Sequence, residues 1–156
     1  MKVLNKVVLG MASLVLLTGC MSKTNYSDFH KKAVEAEEKA PEYKKATAKG
    51  NVKLKVLTAE VSYDVDCKFV KNEDGDWEVD GEKGDGALTA LAYLSYRASM
   101  VGDSGDITYY AGNGFKATAK DEDSSTSYVF NQYGYVTSAK GQSESGKVDL
   151  KFTWSK

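Results

Sequence analysis

Ala59-Glu60-Val61-Ser62-Tyr63-Asp64-Val65-Asp66-Cys67-Lys68-Phe69 alternates apolar and polar residues without a break. Strict period two puts Ala59, Val61, Tyr63, Val65, Cys67 and Phe69 on one side of an extended chain, and the charged and polar residues on the other. A strand with one wet face belongs to an antiparallel sheet, because parallel sheets are covered on both faces. Upstream, Ala46, Ala48, Val52, Leu54 and Val56 share one face, with Lys49, Lys53 and Lys55 opposite. The apolar stripe there falls on even positions, and from Ala59 it falls on odd ones. A one-residue shift flips every side chain, so residues 57–60 must hold a turn or bulge. Further on, Asp74-Gly75 is a hairpin signal, and Trp77 and Val79 continue the ladder.

The C-terminal third repeats the theme in short runs, about 106–111, 114–120, 125–132, 135–141 and 146–155. They are separated by Gly112-Asn113-Gly114, Asp121–Ser124, Tyr133-Gly134 and Gly141–Ser145. Such short connections favour antiparallel hairpins over parallel crossovers. Two segments instead carry helical spacing. Phe29, Ala33, Ala36 and Ala40 mark an N-terminal helix capped by Ser27 or Asp28 and stopped by Pro41. Leu88, Leu91, Ala92, Leu94, Ala98 and Val101 mark a second helix over about 86–101. Asp85 caps it, Gly102 closes it, and it has so little polar face that it should be buried or cover a sheet. The expected fold class is α+β: a curved antiparallel β-sheet, a half-barrel-like meander, with an N-terminal helix and one inserted apolar helix.

Ahead of the domain, Lys2 and Lys6 flank an apolar run from Val7 to Leu17, followed by Leu17-Thr18-Gly19-Cys20. About eleven apolar residues cannot span a ~30 Å hydrocarbon core; with a basic start and a small-residue end they read as a signal peptide. The tetrapeptide resembles the lipobox of bacterial lipoprotein precursors. That resemblance implies removal of residues 1–19, a diacylglyceryl group on Cys20 and two acyl chains in one modification, which suffices for stable anchoring. It leaves residues 20–26 as a lipidated tether and 27–156 as a single α+β domain on the extracytoplasmic face of a cell membrane. Loss of Lys2 and Lys6 takes the formal net charge from −1 to −3. A mildly acidic domain lacks the basic footprint of nucleic-acid binding. Cys67 is then the lone free thiol, and its place in the apolar stripe makes it a small buried hydrophobe.

Catalytic and metal chemistry find little material. His30 is the only histidine and lies beside Lys31 and Lys32 on a helix that looks solvated. Asn72, Asp74, Asp76, Glu78 and Asp80 alternate like calcium ligands. Trp77 stands where that loop needs glycine and Lys83 where it needs a bidentate glutamate. A polar hairpin tip accounts for the run better, with weak calcium binding involving Glu82 and Asp85 left open. Asp64 and Asp66 could serve an enzyme only if they converged in a cleft. No nucleophile elbow or phosphate loop is present, and no cofactor or metal is expected.

The order of elements over residues 27–156 loosely resembles the LolA/LppX-like group of small lipoproteins, whose half-barrel sheet is lined by a helix. It equally resembles other bacterial lipoproteins with a hairpin of the Lys71-Asn72-Glu73-Asp74-Gly75-Asp76-Trp77 type. The half-barrel resemblance implies an apolar groove for a lipid or other amphipathic ligand, lined by Leu88, Leu91, Tyr93, Phe115, Tyr128 and Phe130. Ten tyrosines suit a ligand with an apolar body and a polar head, or form a platform for sugar rings. The leading expectation is thus a lipid-anchored, non-catalytic binding domain. The alternative is a cell-envelope protein-interaction lipoprotein with a solid core, working through its surface. An apolar stripe looks the same against a core as against a ligand.

Overall fold

A computed structural model describes residues 21–81, 84 and 86–156. The leader, Cys20, Glu82, Lys83 and the expected cap Asp85 lie outside the described residues. Among the described residues, nine strands form one curved antiparallel sheet, unclosed, with two helices on its inner face. In chain order these are β1 (Ser22–Thr24), α1 (Tyr26–Glu37), β2 (Lys45–Val56), β3 (Ala59–Lys71), β4 (Trp77–Val79), α2 (Ala87–Leu94), β5 (Ile107–Gly112), β6 (Gly114–Lys120), β7 (Ser125–Phe130), β8 (Val136–Ser143) and β9 (Gly146–Ser155). A 3-10 turn at Ala98–Met100 separates α2 from β5. Across the sheet the order is β1-β5-β6-β7-β8-β9-β2-β3-β4.

The parity shift near residue 57 is a two-residue hairpin turn. Val56 pairs with Ala59, and Leu57-Thr58 close the loop, with Leu57 at φ 58°. That turn carries the even stripe of β2 and the odd stripe of β3 to the same face. The C-terminal runs pair as successive hairpins. The β9–β2 pairing then joins this meander to the β2–β3–β4 sheet, with Ala48 opposite Phe152 and Val52 opposite Val148.

Several boundaries differ from the sequence reading. Asn25, not Ser27 or Asp28, caps α1, its Oδ1 accepting the Asp28 N–H at 2.9 Å. Asp28 instead sits in the first turn, where a carboxylate complements the helix dipole. The residues expected as a tether are ordered: Ser22, Lys23 and Thr24 pair with Ala111, Tyr110 and Tyr109. α1 stops at Glu37, whose carboxylate accepts the Ser99 N–H at 2.9 Å and the Ser99 hydroxyl at 2.6 Å. The second helix is half the expected length. Arg97 adopts an extended backbone, bridges to Tyr135 and donates from its guanidinium to the Leu94 and Tyr96 carbonyls at 2.8 and 3.3 Å. Those carbonyls are otherwise unsatisfied at a helix end, so Arg97 ends the helix that apolar periodicity alone would continue. α2 is also less buried than expected: Ala87, Ala90 and Leu94 face the sheet, while Leu88 is 72% exposed.

The core lies between the helices and the sheet. Phe29 of α1 sits edge-on to Phe115 at 5.6 Å and tilted against Tyr109 at 5.2 Å. Tyr93 and Tyr96, at the end of α2 and just beyond, pack on Phe152, Phe130 and Tyr128. Cys67 is buried in this layer.

Candidate functional site

The cross-strand register aligns inner-face side chains into rows that run across the sheet. One row contains Cys67, Ala48 and Phe152 on one flank and Phe130, Phe115 and Ala111 on the other, all buried. The next contains Val65, Gly50, Leu150, Ala139, Tyr128, Ala117 and Tyr109. All of it is buried except Gly50 and the half-buried Tyr128. The third is Tyr63, Val52, Val148, Gly141, Thr126, Ala119 and Ile107. Here only Val52 is buried. Beyond it, Leu54 pairs with Val61 and Val56 with Ala59, all exposed, and Leu57 at the turn is 99% exposed.

The inner face therefore stays apolar past the point where its helices stop. Aliphatic side chains on a solvated sheet end lose the transfer free energy of burial, roughly 25 cal/mol for each Å² left in water. Contiguous exposed apolar surface of this kind marks a binding face in a soluble protein. Two recesses open on it and adjoin at Thr126. A narrow cleft of about 70 Å³ is walled by Tyr96, Val101, Ile107, Ala117, Ala119 and Tyr128. A shallower depression of about 250 Å³ is lined by Leu54, Gly141, Ser143, Gly146 and Val148. Together they reach the lower end of the ~300–1,000 Å³ usual for small-molecule sites.

Three tyrosines border the inner side of this open end. Tyr96 lies edge-on to Tyr128 at 5.1 Å, and Tyr93 is tilted against Tyr128 at 6.2 Å. Burial raises all three phenols above their ordinary value, with Tyr128 adding to the rise at Tyr93 and Tyr96. The site accordingly offers neutral hydroxyl groups at the edge of an aliphatic shelf.

Of the lining expected from sequence, Tyr93 and Tyr128 border the open end, and Leu91 is half-buried on α2. Phe115 and Phe130 lie deeper, in a packed layer whose space is filled by Phe29 and Tyr96. Leu88 points to solvent. Missed altogether were Leu54, Val61, Ala119, Ile107 and Val148, which form the shelf itself. Their alternation was visible, but which end of each strand the helices leave bare was not.

A second aromatic group sits at the opposite end of the inner face. Tyr135 lies edge-on to Tyr43 at 4.7 Å and to Trp154 at 4.8 Å, and Trp154 lies edge-on to Trp77 at 5.5 Å. The Trp154 indole donates to the Val136 carbonyl at 2.7 Å. This group is knitted into β8, β9 and the Arg97 bridge, and serves as a structural lock.

Among the described residues, those considered for catalysis or metal binding do not assemble. His30 stacks on Tyr26 at 5.6 Å. Asp64 and Asp66 lie on the outer face, away from the shelf, with Asp64 held by Asn51 Nδ2 at 3.0 Å. In the acidic hairpin, Asn72 Oδ1 accepts the Asp76 N–H and Asn72 Nδ2 donates to Glu78 at 2.7 Å. Among the described residues, no three histidine, cysteine or carboxylate side chains converge, and no helix is long and apolar enough to cross a membrane. No family model matches the chain, nor does any curated protein or solved structure.

Proposed function

We propose that the protein is a lipid-anchored, non-catalytic binding domain that holds a hydrophobic or amphipathic ligand on the uncovered end of its inner sheet face. The observation that carries this reading is the continuation of apolar rows beyond α1 and α2, through Ile107, Ala119, Val148, Leu54 and Val61. An apolar body would lie along this shelf. Its polar head would meet the hydroxyls of Tyr93, Tyr96 and Tyr128 at the border.

The lipobox-like Leu17-Thr18-Gly19-Cys20 supports anchoring at Cys20. The register adds a geometric point. From Thr24 back to Ser22, β1 runs from the row of Tyr109 to that of Ala111, away from the open end. An anchor on Cys20 would then turn the shelf away from the bilayer, toward the extracytoplasmic space where a ligand or an acceptor is met.

Native mass spectrometry on protein released gently from its host membrane tests the reading. A stoichiometric adduct, beyond the acyl mass on Cys20 and lost on denaturation, is the expected result. Thr126→Trp should fill the junction of the two recesses and abolish the adduct. A bare mass from the wild type overturns the ligand reading. A Cys20→Ser variant that stays in the membrane fraction overturns the anchor.

A further inference from the structure

The buried stripe of each strand fixes what the other side of the sheet carries. Ala46, Ala48 and Val52 on β2, Leu150 and Phe152 on β9 and Ala139 on β8 are buried, so their neighbours in sequence face outward. On β2 that outward set includes Lys45, Lys49, Lys53 and Lys55, on β9 Lys147 and Lys151, and on β8 Lys140. All seven lysines are exposed. The one carboxylate on the outer face of these three strands, Asp149, has Lys140 at 3.9 Å. The register sets like charges against each other: Lys49 is directly opposite Lys151, and Lys53 directly opposite Lys147. Opposed like charges weaken a strand pair, so the β2–β9 ladder keeps this face basic at a cost in stability. Across β2 and β3 the pairs are complementary instead, Lys55 with Glu60 and Lys49 with Asp66. The chain as a whole carries a formal net charge of −1. The fold therefore segregates the two signs, with acid concentrated in turns such as Asp121-Glu122-Asp123.

One row of outward side chains links this patch to the N-terminal edge of the sheet. From β1 it runs through Lys23, Tyr110, Lys116, Val129, Ser138 and Lys151 to Lys49. Six strand spacings of about 4.8 Å separate its ends, roughly 30 Å in all. Lys23 stands three residues after Cys20. Beside it, Tyr110 is half-buried with the Lys116 ammonium 5.5 Å from its ring centre. Tyrosine is favoured where apolar surface meets a headgroup layer.

We propose that the outer face of β8, β9 and β2 is a docking surface for an anionic phospholipid bilayer, the one that holds Cys20. The inference rests on the anchor reading above and adds to it the orientation of the domain. A bilayer surface carrying anionic lipid attracts each basic side chain held near it. The lysines spread over three strands rather than along a cleft, which suits a plane of charge. With the anchor at one edge of the sheet and the patch roughly 30 Å across it, the outer face lies on the headgroups. The inner face, with its helices and shelf, is turned away from the bilayer.

The probe is vesicles of phosphatidylcholine with and without phosphatidylglycerol, mixed with the full chain carrying Cys20→Ser so that acylation plays no part. Partition onto the phosphatidylglycerol vesicles, falling as salt is raised, is expected. Lys53→Glu combined with Lys151→Glu turns both like-charge pairs into opposite-charge pairs. It should cut that partition at least about tenfold, while its denaturation midpoint stays equal to the parent's or rises. Lys31→Glu combined with Lys32→Glu makes the same change in net charge on α1, and should leave partition within about twofold. The leader is common to every variant, so the differences report the face. In the parent chain, vesicles should slow acetylation of Lys49, Lys53, Lys147 and Lys151 but not of Lys31 and Lys32. Equal losses in the two double variants, or protection that does not favour the sheet lysines, overturns the proposal. So does capture by soluble dextran sulfate without partition onto vesicles, which would make an acidic polymer the occupant. Failure here is distinct from failure of the anchor, which is read from the membrane fraction of cells making Cys20→Ser.

Discussion

The guanidinium of Arg97 lies 3.8 Å over the ring of Tyr135 and 5.6 Å from that of Trp154. The same side chain donates to the carbonyls that end α2. One residue therefore joins the inserted helix, the β7–β8 turn and β9. Burial draws the guanidinium below its ordinary value, while Tyr135 and Glu37 pull it back up. A planar group that stacks and donates in a fixed fork is not replaced by an ammonium. Arg97→Lys should cost about 1–2 kcal/mol from the lost stack and hydrogen bonds, read as a lower denaturant midpoint with an unchanged slope. A midpoint equal to wild type would show that the lock carries no weight.

Gly134 stands beside that lock at φ 79°, in the turn leading to Tyr135. A Cβ there would come within 2.7 Å of Glu37 Oε1, the oxygen that accepts the Ser99 N–H. Gly134→Ala therefore combines backbone strain with displacement of a carboxylate bridging α1 to the 3-10 turn. We expect a loss of about 2–3 kcal/mol, from roughly 1 kcal/mol of left-handed strain plus the broken bridge. Glu37→Gln in the same background should add little further loss, because the bridge is already displaced. Full additivity in a double-mutant cycle would refute the shared mechanism.

Much of this architecture was readable from residue alternation. The parity change between Val56 and Ala59 located the first turn. Asp74-Gly75 and Tyr133-Gly134 located others; of the expected connection Gly141–Ser145 only Glu144-Ser145 forms the turn, its first three residues pairing with β9. The turn at Leu57-Thr58 lacks glycine and asparagine, so only the stripe, not the turn chemistry, betrayed it. The early end of α2 was hidden because Ala98 and Val101 keep helical spacing; they are buried by the loop that Arg97 shapes. β1 is three polar residues with no pattern to read, and its pairing with β5 is non-local. The shelf suffered the same blindness. Ile107, Ala119 and Val148 occupy ordinary strand positions, and only the lengths of α1 and α2 leave them half-buried.

Leu57 violates two preferences at once, a left-handed backbone and full exposure of an aliphatic side chain. Asparagine tolerates that backbone more readily than leucine does. Leu57→Asn should leave stability equal or raise it by about 0.5–1 kcal/mol. It should also lower binding of an apolar dye to the open end, if Leu57 contributes to that surface. A destabilised variant would mean that Leu57 is held by contacts that outweigh the strain.

Cys67 is buried between Ala48 and the rest of the inner face, and burial is the main cause of its raised thiol pKa. The reactive species is the thiolate, so a folded chain should resist maleimide or disulfide reagents at neutral pH. Labelling should follow the population of unfolded protein and rise in step with the denaturant curve. Rapid labelling under native conditions would show that the β2–β3 layer opens locally.

Alkaline stability follows from the tyrosines at the border of the shelf. Burial raises Tyr93, Tyr96 and Tyr128 above the ordinary value of 10.0 that they recover on unfolding. Below that value both states hold the phenolic protons, and the stabilising contribution is fully present. Above it the unfolded chain releases protons that the folded chain retains, so stability falls as pH rises through the folded-state values. Cys67 acts in the same direction, from its lower ordinary value of 9.0. Denaturation midpoints should therefore be flat from neutral pH to about pH 9 and decline beyond it. Replacing Tyr93, Tyr96 and Tyr128 together by phenylalanine should shift the decline to higher pH, whereas a ligand that buries the phenols further should deepen it. A decline unchanged in the triple variant would assign alkaline sensitivity to groups elsewhere in the fold.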